Sequence, residues 1–118
     1  MTDCVFCMIG TGEIPAALVY EDEHVVAFDD IAPQAPVHTL IIPRAHYADI
    51  ADHVPADVLD AAMRAIPRVA ELKGIAVTGY RVIINTGPDA AQTVHHFHVH
   101  VLGGRPMAEG MVSFDGSR

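Results

Sequence analysis

A chain of 118 residues, 51% hydrophobic and 19% charged, is long enough for one packed core, too short for two and too apolar to stay disordered. Fifteen acidic residues face seven basic ones, of which only Lys73 is a lysine, so the net charge of -8 excludes a basic surface for a nucleic-acid backbone. No apolar run approaches the roughly 18 residues of a membrane span, and no basic-then-apolar leader pattern opens the chain, so a cytoplasmic setting is expected.

Residues 1–118 read as a single domain without repeats or linkers. The turns "GEIPA" (12–16) and "APQAP" (32–36) punctuate the first half, and "ALVYEDEHVVAF" (17–28) predicts two short strands around an acidic turn at Glu21–His24. "HTLIIP" (38–43) predicts a third strand. From Pro55 to Gly74 the apolar residues Val58, Leu59, Ala62, Met63, Ile66, Val69, Ala70 and Leu72 recur at helical spacing. Pro67 should bend that helix. "YRVIIN" (80–85) and "FHVHVL" (97–102) complete a β-β-β-α-β-β order, which predicts an α+β antiparallel sheet with the main helix on one face. The other face is left for another task.

The stretch "HHFHVHVLGG" (95–104) sets His96, His98 and His100 at alternate positions. On extended backbone they share one face and span about 13 Å. Three readings are open: a solvated polar row, a metal site in which neighbouring rings share an ion, or a catalytic row in which one imidazole attacks phosphorus and others handle charge and protons. The loop "NTGPDAAQT" (85–93) carries Asn85, Gln92 and Thr93 at its ends. Such a loop can aim N–H groups at phosphate, or simply connect two strands. A small anion needs no basic patch, so nucleotides remain open as ligands.

The run His96-Phe97-His98-Val99-His100-Val101-Leu102 resembles the signature of the histidine triad (HIT) family, His-φ-His-φ-His-φ-φ with φ apolar. The likeness to its small nucleotide-binding branch extends over "CVFC" (4–7), "GEIPA" (12–16), "YEDEHVVAFDDIAPQAPVHTLIIPRAH" (20–46), "YRVIINTG" (80–87) and "HVLGGRPM" (100–107). The resemblance implies a HIT-like fold, a five-stranded antiparallel sheet with one main helix and a short N-terminal helix, pairing as a homodimer with a continuous sheet. It implies a hydrolase or transferase that cleaves substituents from the α-phosphate of a nucleoside monophosphate, such as adenosine phosphoramidates. A dinucleoside polyphosphate hydrolase or phosphorylase, or a nucleotide-binding regulatory module with little turnover, are the alternatives.

By position, the resemblance implies that His98 is the nucleophile, that His100 binds phosphate and relays protons, and that His38 lines the same pocket. Asp30 matches the acceptor of both ribose hydroxyls, with Phe28 and Ile31 beside the base. Asn85, Gln92 and Thr93 match positions that bind the phosphate and the leaving group. Many relatives have Gly-Gln-Ser where this chain has Ala91-Gln92-Thr93, and the added methyl groups imply a narrower cleft. The tail "MAEGMVSFDGSR" (107–118) departs from the family's usual aromatic or proline-containing ending.

Cys4 and Cys7 form a Cys-x-x-Cys pair, which in a cytosolic setting points to metal or redox chemistry before a disulfide. His46 and His96 are candidates to complete a tetrahedral Cys₂His₂ zinc site. The resemblance to zinc-bearing bacterial members supports that set, one structural zinc per chain, with His96 anchoring the N-terminus. His24, His53 and His95 are read as surface or locally bonded residues, and Arg44 and Arg105, which could equally meet phosphate, a partner subunit or an exposed salt bridge, are assigned no role.

Overall fold

The computed structural model describes residues 4–114. They form α1 (Val5–Thr11), β1 (Leu18–Glu21), β2 (Val25–Asp29), β3 (Val37–Pro43), α2 (Ala56–Leu72), β4 (Tyr80–Ile83) and β5 (Val99–Gly103), with a 3-10 turn at Pro88–Ala90. All five strands pair antiparallel in one sheet of order β1-β2-β3-β5-β4, as the α+β reading requires.

Two-residue alternation sorts the apolar side chains to the two faces of this sheet. Val25 and Ala27 of β2, Ile41 of β3 and Val99 and Val101 of β5 join Ala62, Ile66 and Val69 of α2 in the main core. Val26, Phe28, Leu40 and Ile42 point the other way and receive Phe6 and Ile9 of α1. Each fully buried Val, Leu, Ile or Phe among them stabilises by about 1.5–3 kcal/mol relative to exposure. The central strands are therefore apolar on both faces, and α1 with its cleft occupies the side that α2 leaves open.

The main helix begins after Pro55 and ends where Gly74 turns left-handed at φ 75°. It runs through Pro67 to Leu72; Pro67 lies on the exposed side, where the Met63 carbonyl that loses its partner can reach water. Helix α1 starts on Cys4, whose Sγ accepts from the Cys7 N–H, and stops at Gly12 with φ 84°. Arg44 fastens its far end, donating to the Gly10 carbonyl, the Asp22 carbonyl and the Glu21 carboxylate. A Cβ on Gly10 would lie 3.1 Å from Arg44 Cα, so any side chain there would have to push the Arg44 backbone aside by a few tenths of an ångström.

Strand β5 begins at Val99, two residues later than expected, and extends to Gly103. Its pairing with β3 reaches Ile41↔Val99 and stops short of Pro43, which has no N–H to continue a ladder. The Phe97 N–H goes instead to the Tyr47 carbonyl. Likewise β4 stops at Ile83, and Ile84 packs against the core. No helix among the described residues is long and apolar enough to cross a membrane.

Candidate active site and metal cluster

On the α1 side of the sheet lies a cavity of about 860 Å³. Its wall contains His38, His98 and His100, the ribose and base candidates Phe28, Asp30 and Ile31, and the loop residues Asn85, Gln92 and Thr93. Val5, Phe6 and Ile9 of α1 also line it. Among the described residues no lysine or arginine does so, whereas Asp29 and Asp30 do.

Hydrogen bonds to the backbone assign the ring protons, because a carbonyl only accepts and an amide N–H only donates. His98 Nδ1 lies 2.7 Å from the His96 carbonyl, so Nδ1 carries the proton and Nε2 keeps its lone pair. The Gln34 N–H donates to His38 Nδ1 at 3.1 Å, so neutral His38 carries its proton on Nε2 and gives it to His100 Nδ1 at 2.8 Å. His100 is then left with Nε2–H. Burial first, and the neighbouring His98 and His38 rings second, push the His100 pKa down to about 4. The cleft thus holds one ring with a free lone pair beside a ring with an N–H to donate.

Asp30 Oδ1 accepts the Ala32 N–H at 2.9 Å, an Asx turn that fixes the carboxylate. Its Oδ2 lies 3.6 Å from His38 Nε2. Asp30, His38 and His100 lie within metal-binding reach of one another. The Gln34 N–H, however, holds His38 in the tautomer that shares a proton with His100, which suits proton transfer rather than ligation.

The loop candidates differ in what remains free. Thr93 is exposed and Asn85 half-buried, both on the cavity wall. Gln92 is 8% exposed, and its amide is taken up by the Gly87 N–H and by the carbonyls of Ala48 and Val94. Ala91 sits at φ 57°, the left-handed region that favours glycine. An alanine held there carries backbone strain.

His96 does not line this cavity and joins Cys4, Cys7 and His46 in a cluster able to hold a metal ion. Its Nε2 donates to the Pro43 carbonyl at 2.9 Å, which leaves the Nδ1 lone pair toward the thiols. The sulfurs stand 3.1–3.6 Å from the Nδ1 atoms of His46 and His96. A tetrahedral ion with bonds of about 2.3 Å to sulfur and about 2.0 Å to nitrogen sets such pairs about 3.5 Å apart, so the four side chains fit one. Burial, ahead of the other influences, lowers the His96 pKa and keeps its ring neutral, as ligation needs.

Phe6 is a residue that motif reading missed. Its ring meets His98 edge to face at 5.3 Å, Phe28 at 5.6 Å and His96 at 6.0 Å. Its place between Cys4 and Cys7 is the signal that was available, since a ligand pair that anchors α1 must also deliver the residue between its members. Arg44 likewise proved to be a staple of α1. His24 lies 3.5 Å from Glu23 and 3.9 Å from Asp57, and His95 is exposed.

An α+β domain whose cleft takes two of three alternate histidines, while the first turns to a Cys/His cluster, has the build of a histidine triad protein. Residues 11–107 match the HIT domain, and the chain belongs to that family. It is 45% identical over 108 residues to the purine nucleoside phosphoramidase of Escherichia coli, covering 89% of this chain and 90% of that protein. It is 41% identical to protein HitA of Neisseria gonorrhoeae, covering 87% of this chain and 97% of the relative. A HIT family hydrolase from Clostridium thermocellum superposes with a TM-score of 0.88 at 45% identity, covering 95% of this chain and 99% of the other.

Proposed function

We propose that this protein is a hydrolase that releases amines from the α-phosphate of nucleoside monophosphates through a nucleotidyl-His98 intermediate. The observation that carries the reading is the His98 tautomer: Nδ1–H bound to the His96 carbonyl and a lone pair on Nε2 in a ring that lines the cavity. Nε2 attacks phosphorus, and the bond to the amine nitrogen breaks with its electron pair. The departing amine takes a proton from the His38–His100 pair, which becomes protonated once the phosphoramidate monoanion sits beside it. The His96 carbonyl meanwhile stabilises the cationic, phosphorylated ring. Water then attacks phosphorus, returns a proton to the pair, and frees the monophosphate and neutral His98. Two inversions give net retention at phosphorus.

Asp30 has the chemistry to accept both ribose hydroxyls, and Phe28 and Ile31 offer apolar surface to the base. Asn85, Thr93 and the His100 Nε2–H are suited to the phosphate oxygens. The Cys4, Cys7, His46 and His96 cluster holds one structural zinc, the borderline-soft ion that two thiolates and two imidazoles prefer, and reduced thiols accord with a cytoplasmic setting. Strand β4 is an edge with Tyr80 and Val82 partly exposed, and it is the place where a second copy would continue the sheet into a homodimer.

The absence of lysine and arginine from the described cavity wall favours a neutral amine over a polyphosphate leaving group. A polyphosphate would bring further negative charge beside Asp30 with no cation on the described wall to meet it, since Lys73 is paired with Asp29. The test is to give the pure protein adenosine 5′-phosphoramidate and diadenosine polyphosphate separately and to follow adenosine monophosphate release. Faster release from the first is expected; release only from the second would exclude the phosphoramidase reading.

A further inference from the structure

Three consecutive residues of the loop after β3 each hold a different part of the site. His46 presents Nδ1 to the cluster, 3.1 Å from Cys7 Sγ. The Tyr47 carbonyl accepts the N–H of Phe97, next to His98, at 2.6 Å. The Ala48 carbonyl accepts from Gln92 Nε2 at 2.8 Å. The loop is itself braced: Asp52 Oδ2 accepts the Ala48 N–H and Asp49 Oδ1 the Ala51 N–H, both at 2.8 Å.

Gln92 is the link between this support and the 85–93 loop. Its Oε1 accepts the Gly87 N–H at 2.9 Å, and Nε2 donates to Val94 as well as to Ala48. With its backbone N–H on the Gly87 carbonyl, it closes the loop at both ends. Both amide hydrogens are used, and the residue is buried between exposed Ala91 and Thr93. The loop has no strand ladder to hold it, and it contains positive-φ residues at Gly87 and Ala91.

We infer that Gln92 is a positioning residue: it fastens the 85–93 loop to the same backbone that registers Phe97, and does not itself touch the substrate. Asn85 and Thr93 on one side of the reaction and His98 on the other are thereby set against one support. The inference rests on the functional reading above, in which those groups meet the phosphate. A misplacement of about 1 Å in such an arrangement lowers a rate on the order of 100-fold.

The experiment compares wild type with Gln92→Met, which keeps the length and loses all the side-chain hydrogen bonds, and Gln92→Glu, which keeps only the acceptor for Gly87. For Gln92→Met, kcat on adenosine 5′-phosphoramidate should fall about 10- to 100-fold, by more than KM rises. Adenosine monophosphate should bind more weakly, while adenosine itself binds within about twofold of wild type, and Gln92→Glu, which sets a carboxylate oxygen against the Ala48 and Val94 carbonyls, should lose at least as much. In the wild-type protein the Gln92 amide protons should exchange slowly by NMR and keep their shifts when adenosine monophosphate is added. Wild-type kcat in Gln92→Met would overturn the inference, as would amide protons that exchange freely or move strongly on titration, since those belong to a direct ligand. Should Gln92→Met not fold, the wild-type exchange measurement and Gln92→Glu decide. A wild-type protein that turns over no phosphoramidate would overturn the functional reading instead, and the exchange measurement separates that result from this one.

Discussion

His96 and His98 stand two residues apart, are both buried, and use opposite ring nitrogens. His96 donates from Nε2 to the Pro43 carbonyl and turns its Nδ1 lone pair to the cysteines. His98 donates from Nδ1 to the His96 carbonyl and keeps the lone pair on Nε2. A row of like residues thus acquires distinct chemistry from the carbonyls around it, because each hydrogen bond fixes one tautomer. His96 takes part in both regions, its ring in the cluster and its backbone oxygen on its neighbour.

Removing one ring at a time separates the two roles. His98→Ala should lower turnover by at least about 1,000-fold while leaving nucleotide binding within an order of magnitude, measured by steady-state kinetics and calorimetry. Turnover close to wild type would exclude the nucleophile assignment. Cys4→Ala acts on the other region: it should abolish binding of about one equivalent of metal and destabilise the fold on the order of 3 kcal/mol, read from metal analysis and thermal unfolding. A protein that is metal-free as purified yet unaffected in stability by added zinc would remove the cluster's proposed role.

A pH titration sharpens the contrast without mutation. The His100 ring should titrate near pH 4 in the free protein, followed by its C2 proton in NMR, and higher when a phosphate is bound. Its folded pKa lies below the ordinary value of 6.5, so the unfolded chain binds a proton that the native ring refuses. Its contribution is therefore present in full above pH 6.5 and is lost as pH falls from there toward 4. A ring that titrates at its ordinary value would contradict the burial argument. The smallest effect is expected from Ala91→Gly, which should stabilise by about 0.5–1 kcal/mol in urea unfolding, because glycine adopts φ 57° without strain. No gain would place the loop's strain elsewhere.

Much of the fold was legible. The alternation in "VVAFD" and "HVHVL" assigns faces, and the helical period from Val58 to Leu72 has a single apolar stripe. The loop stretches were less legible for a physical reason: periodicity reports only which side of an element is buried, whereas Gln92 and Tyr47 act through hydrogen bonds to residues distant in the chain. Gln92 matched a ligand position by resemblance, yet its amide is occupied by the loop. The late start of β5 was equally hidden, since it depends on Pro43 standing across from Phe97.

By itself the sequence determined the antiparallel α+β build, the histidine row, the Cys-x-x-Cys pair and the family likeness, since period, motif and spacing are local properties of a chain. Tertiary structure decided which imidazole faces the thiols, which keeps a lone pair in the cleft, and which amide is spent on holding a loop. Those outcomes depend on where the carbonyls of Pro43, Tyr47, Ala48 and His96 lie in space, and only folding brings a backbone acceptor to a given ring nitrogen.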